Sequence, residues 1–176
     1  MKTTFTIVLL TFSMIAPAQE KVYPVIKNYG GIYEIPDVDF KANGSTNLKI
    51  VIDALSGATN PADLNPAFNN VARMINLHAV AGVPIENLTV AVVIHNQATY
   101  AIMDNPSYRE KYKTDNPNLA LIKELSGAGV QFIVCGQSLI GRDVKREKIA
   151  REVKVAVSML TTVTTLQASG YSLLQF

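Results

Sequence analysis

Val130-Gln-Phe-Ile-Val-Cys-Gly-Gln-Ser-Leu-Ile-Gly-Arg142 is the stretch that decides the fold. Its first five residues are mostly apolar and rich in β-branched types, with Gln131 as the exception. Such a short run suits a strand buried on both faces. Cys135 ends the run, and Gly136-Gln137-Ser138 follows, as a strand does when it leaves a sheet into a turn or helix start. Leu48 to Ile52, Leu88 to Ile94 and Val153 to Val157 are runs of the same kind, and Tyr171 to Leu174 is a last, shorter one.

Helix signals lie between the runs. Asn65-Pro66 places an N-cap before proline at the first helical position. Phe68, Val71, Ala72, Ile75 and Ala79 then share one face, and Gly82 closes the helix. Asn116-Pro117 repeats the start signal, with Leu119, Ile122 and Leu125 as the stripe and Gly127 or Gly129 as the stop. Ser158 caps a third candidate carrying Met159, Val163 and Leu166 and ending at Gly170, although its threonines are weak helix formers. Asp143 to Arg151 is charged and reads as helix or coil. Strands alternating with helices predict a three-layer α/β/α fold around a central, mainly parallel sheet of five strands.

Composition agrees with one folded domain: the chain has 176 residues, 48% hydrophobic and 17% charged. A formal charge of +2 gives no argument for nucleic acid, and Lys145, Arg146, Lys148, Arg151 and Lys154 alternate with acids as on a solvated face. Residues 1–18 differ in kind. Lys2, the apolar Phe5 to Ile15 and the small residues of Ala16-Pro17-Ala18 read as an export signal, too short to span a bilayer, with cleavage before Gln19. The expectation is therefore an exported protein, periplasmic or secreted. Residues 19–46 hold Pro24, Gly30-Gly31, Pro36 and Asn43-Gly44 without a sustained period, so they read as an irregular arm lying over the domain or against a neighbour. The domain proper occupies 47–176.

In an open parallel sheet, ligands bind beyond the carboxyl ends of the strands. Here those ends carry Asp53, His95-Asn96, Cys135-Gly136-Gln137-Ser138 and Ser158. Cys135 is the sharpest candidate, being the single cysteine and so without an internal disulfide. A helix start at that position favours a thiolate, and Arg142, about two turns on, adds a cation to one side of the balance. Burial beside Val134 and Leu139 pushes the other way. An inert, buried thiol is the competing reading. His95 is a candidate base or donor or else a structural histidine, and Asp53 a candidate binding group or a loop cap. His78 and His95 are too far apart for a ligand pair, so no metal or cofactor is called for. Nucleophile-elbow, Walker and dinucleotide patterns are absent.

Asn65-Pro-Ala-Phe-Asn-Asn-Val-Ala-Arg73, the Leu88 to His95 run, Asp115-Asn-Pro-Asn-Leu119 and Val134-Cys-Gly-Gln-Ser-Leu-Ile-Gly-Arg142 resemble the DsrE/DsrF-like family over roughly residues 47 to 174. That resemblance implies the same three-layer fold, homo-oligomers, and sulfur carried as a persulfide on Cys135 with Arg142 on the helix behind it. It also implies a sulfur donor or acceptor, protein or small compound, and a sulfurtransferase-like activity. Two departures stand out: the relay members are cytoplasmic, and their cysteine precedes an alanine-rich helix rather than Gly-Gln-Ser. Two other readings of the same residues are a small-ligand or assembly module with a structural cysteine, and a thiol redox sensor.

Overall fold

The structure, a computed structural model, describes residues 19–176, so the export reading of 1–18 lies outside the described residues. Five parallel strands form one sheet: β1 (Leu48–Ala54), β2 (Leu88–Ile94), β3 (Gln131–Cys135), β4 (Val153–Ala156) and β5 (Ser172–Gln175). Their order is β4-β3-β2-β1-β5. Helices α1 (Pro66–Val80), α2 (Asn105–Tyr112), α3 (Asn118–Gly127), α4 (Gly136–Gly141) and α5 (Met159–Ala168) complete the three layers. The sequence reading of the fold class holds.

Chain direction explains which helix covers which face. From β1 to β4 each new strand is added on the same side of the last, and the residues of α1, α3 and α4 that become buried join one core. This core takes Ile50, Ile52, Val90, Val92, Ile94, Phe132 and Val134 from the sheet and Phe68, Ile75, Leu121, Ile122 and Leu125 from the helices. Returning from β4 to the far side of β1 requires α5 to cross the opposite face, as right-handed connections do. The α5 layer is thinner: Val51, Val93 and Val163 are its buried members, with Met159, Leu166 and Tyr171 packed around them.

Local signals act as written in most places. Asn65 Oδ1 accepts from the N–H of Ala67 and Phe68, and Gly82, at φ +85, closes α1 where Val83 N–H reaches His78 O at 2.9 Å. Phe68, Val71, Ala72 and Ile75 are buried as expected, while Ala79 is half-buried. Burying side chains the size of Phe68, Val71 and Ile75 contributes about 1.5–3 kcal/mol each. The second start is shifted. Pro117 is itself in the helical region (φ −69, ψ −13), and α3 begins at Asn118, whose N–H Asn116 Oδ1 accepts at 2.9 Å. Asn116 Nδ2 meanwhile donates to Ala101 O and Met103 O, tying α3 to the preceding segment.

That segment had no assignment from sequence. Asn96–Ile102 forms a 3-10 helix and Asn105–Tyr112 forms α2, capped by Asp104 on Ser107 N–H at 2.8 Å. α2 buries Tyr108 and half-buries Tyr112, and most of its remaining residues are polar, so it carries no apolar stripe. The charged stretch before β4 is an open connection with a 3-10 turn at Arg146–Lys148.

The arm lies over its own domain. Val22 and Ile32 bridge antiparallel, and Ile26 is buried. Asn76, fully buried on α1, accepts from Val25 and Ile26 N–H and donates to the carbonyls of Ile26, Tyr29 and Gly30. Gly30 packs so closely that a Cβ would fall 2.3 Å from Arg73 N. Among the described residues no helix is long and apolar enough to cross a membrane.

Candidate functional site

Adjacent strands β3 and β4 send their chains to opposite faces of the sheet: α4 joins the large core, whereas α5 covers the other side. An open α/β sheet forms its crevice at such a switch point, beyond the carboxyl ends of the strands. Cys135 sits there, at the last position of β3 and the first flank of α4, with extended backbone at φ −66 and ψ 116. Gly136 makes the turn fit. A Cβ there would come within 2.8 Å of Ala156 O, so any larger residue would push the start of α4 off the β4–α5 connection.

Cys135 is a free thiol, 4% exposed. Burial is the largest single influence on its acidity and pushes it up. Against it stand the Ser138 hydroxyl and the backbone N–H groups of Met159, Ser138 and Gln137, and together they hold the thiol below its ordinary value. Met159 opens α5, so the sulfur lies at two helix N-termini at once. Ser158 fixes the second of these by capping Thr161 N–H at 3.1 Å. Ser138 is fixed in turn. Its Oγ accepts from Asn96 N–H at 3.1 Å, which leaves the hydroxyl proton free to point at sulfur. Asn96 presents that N–H from a left-handed backbone, φ 50, that few non-glycine residues adopt.

Five of the sequence candidates therefore meet: Cys135, Gly136, Gln137, Ser138 and Asn96. His95 and Asp53 form a second cluster. His95 Nε2 lies 2.7 Å from Asp53 Oδ1, and Gln175 Nε2 donates to Asp53 Oδ2 at 3.2 Å. Pairing puts Asp53 opposite Val93 and Val93 opposite Ile133, so Asp53, His95 and Cys135 share one face of the sheet. The imidazole nevertheless reaches toward β1, on the side of β2 away from β3. Arg142 is also elsewhere. It caps the far end of α4 with its guanidinium 5.7 Å from the Tyr100 ring centroid, and it is not among the groups acting on the thiol. The thiolate stabilisation expected of the Arg142 cation comes instead from neutral donors, the Ser138 hydroxyl and the N–H groups of Met159, Ser138 and Gln137. Met159 was not a sequence candidate; the Ser158 cap marked its helix start but carried no sign that this start faces β3.

Chemically, a thiolate at this strand end is met by one hydroxyl and three backbone donors. A thiolate so held can attack an electrophilic sulfur, and it can leave again because the same donors stabilise it.

Comparison with known proteins agrees with this architecture. No curated protein matches the chain. Solved structures that share the fold include a protein of unknown function, MTH1491, from Methanobacterium thermoautotrophicum, at 16% identity and TM-score 0.57, and the YchN protein from E. coli, at 19% identity and TM-score 0.53. Each covers 73% of this chain and 99% of its own. The model of the DsrE/DsrF-like family matches residues 49–176, which takes in every strand but the first residue of β1, every helix, and Cys135 with the donors around it. The chain belongs to the DsrE/DsrF-like family.

Proposed function

We propose that the protein is a thiol-based sulfur carrier with sulfurtransferase-like activity, in which Cys135 accepts sulfur as a persulfide. The observation that carries this reading is the thiol's place between the starts of α4 and α5, where donors outweigh burial. Membership of a family associated with sulfur relay supports it. With thiosulfate as donor, the Cys135 thiolate attacks the outer sulfur. An S–S bond forms to Cys135, the bond to the sulfonate sulfur breaks, and sulfite leaves with the electron pair. An acceptor thiolate then attacks the outer persulfide sulfur and Cys135 leaves as thiolate. No net oxidant is consumed.

Incubation of the protein with thiosulfate or sulfane donors, followed by mass spectrometry, tests this. One added sulfur on the peptide containing Cys135, transferable to a small thiol, is the expected result. Oxidation of Cys135 by peroxide without sulfur uptake from any donor would instead favour the redox-sensor reading, and no reaction of either kind the structural-cysteine reading.

Location and assembly belong to the same proposal. Export with removal of 1–18 is motivated by the leader-like pattern, and retention of Met1 to Ala18 in an intact-mass measurement would overturn it. A homo-oligomer is motivated by β5, an edge strand with Leu173, Leu174 and the adjoining Phe176 all exposed. A monomeric mass by light scattering at micromolar concentration would contradict it.

A further inference from the structure

The arm precedes the residues matched by the family model, and the clasp around Asn76 holds it against the outer face of α1. What it builds there is an addition to the common fold. A cleft of about 700 Å³ opens between arm and helix, lined by Lys21, Tyr23, Tyr29, Tyr33, Asn69 and Arg73 among others, with no carboxylate in its wall. Lys21 Nζ stands 5.8 Å from the Tyr33 ring centroid, and Arg73 Nη1 donates to Asn70 Oδ1 at 3.3 Å. Neither cation has a carboxylate ion-pair partner among the described residues. Gly31 leaves room for the Tyr23 phenol: a Cβ there would lie 2.6 Å from the ring.

A second groove of about 930 Å³ shares Tyr33, Ile35 and Leu77 with this cleft and continues along Val38, Phe40 and Val80, with Glu34 and Lys41 also in its wall. Ile35 is 68% exposed and Phe40 is 90% exposed. An apolar surface of this extent is costly in water unless something covers it. Two unpaired cations at one end and an apolar trough at the other match a particular shape of ligand: a compact anion with a flexible apolar tail.

We propose that the arm and α1 together bind one free, single-chain anionic amphiphile of the fatty-acid class. Its carboxylate lies between Lys21 and Arg73 beside the tyrosines, and its tail runs along Ile35, Val38 and Phe40. Cys135 and its donors have no part in this site, so the proposal stands or falls apart from sulfur transfer.

Calorimetric titration of the full chain with octanoate, decanoate and dodecanoate below micelle-forming concentrations tests it, with dodecyltrimethylammonium as the cation of matching tail. Expected is one carboxylate per chain, affinity rising severalfold with each added pair of methylenes, and at least tenfold weaker binding of the cation. Arg73→Ala should weaken dodecanoate about tenfold while keeping the chain-length trend; Lys21→Ala, on the exposed arm, is the second variant should the first misfold. Phe40→Asp should flatten the trend, and Cys135→Ser should change nothing. Equal binding of cation and carboxylate, no dependence on chain length, or unaltered affinity in both cation variants would overturn the proposal. So would sedimentation with phosphatidylglycerol vesicles in place of monomer binding, or a dimer dissociated by Phe40→Asp, which would assign the surface to a membrane or to a second copy.

Discussion

Cys135 and the Asp53–His95 pair stand on the same edge of the sheet and on the same face of it, yet their surroundings differ. Around Cys135 every polar partner is a donor, drawn from a hydroxyl and from the first turns of two helices that diverge from β3 and β4. Around His95 the partner is a carboxylate, itself held by Gln175 from the neighbouring strand. Side chains of comparable chemical promise thus acquire different roles from topology alone. At the switch point backbone donors have nothing else to bond and turn to the sulfur. Between β1, β2 and β5 the chain supplies an acid for the histidine, and the two satisfy each other.

Variants that disturb one cluster and spare the other separate these roles. The largest effect is expected from Cys135→Ser, which should abolish persulfide formation measured by mass spectrometry and leave the Asp53–His95 pair intact. Next comes Ser138→Ala. A hydrogen bond to a charged group contributes about 1.5–3 kcal/mol, so losing this one should slow alkylation near neutral pH by roughly tenfold or more. Gly136→Ala forces its new methyl against Ala156 O and should cost about 1–3 kcal/mol in denaturant unfolding, along with a loss of thiol reactivity as α4 shifts. His95→Ala and Arg142→Ala should have the smallest effects on the thiol, within about twofold in alkylation rate, since neither group is among those acting on it. A large drop in His95→Ala would mean that the two clusters communicate, and one in Arg142→Ala that the end of α4 acts on its start.

Much of this was legible in the chain. Continuous apolar runs announced a two-sided sheet because parallel strands bury both faces, and Asn65-Pro66 and Ser158 marked helix starts by chemistry that needs no tertiary partner. The position of Cys135 at a strand end followed from the same patterns. What could not be read was which helix start would face it. That depends on strand order, and the order β4-β3-β2-β1-β5 is decided by α5 returning over the thin face. Arg142 illustrates the limit. Spacing put it behind the cysteine, but α4 is short, and its last turn delivers the guanidinium to the Tyr100 ring. Segment 96–112 was missed for a different reason: α2 buries Tyr108 and little else, so no period survives in the sequence.

Thiol ionisation also couples to stability, with a definite sign. Because the folded protein holds the Cys135 thiol below its unfolded value, its contribution is fully present above the unfolded value and is lost as pH falls through the folded one. The stability gap between wild type and Cys135→Ala should therefore widen as pH rises across that interval, in parallel denaturant titrations.

The most direct test is the pH dependence of iodoacetamide reaction with the native protein, followed by intact mass. The arrangement of donors around Cys135 predicts a single alkylation whose apparent pKa lies below that of free cysteine, and it predicts that Ser138→Ala raises it. A midpoint at or above that of free cysteine, or a thiol that reacts only once the chain is unfolded, would contradict the account.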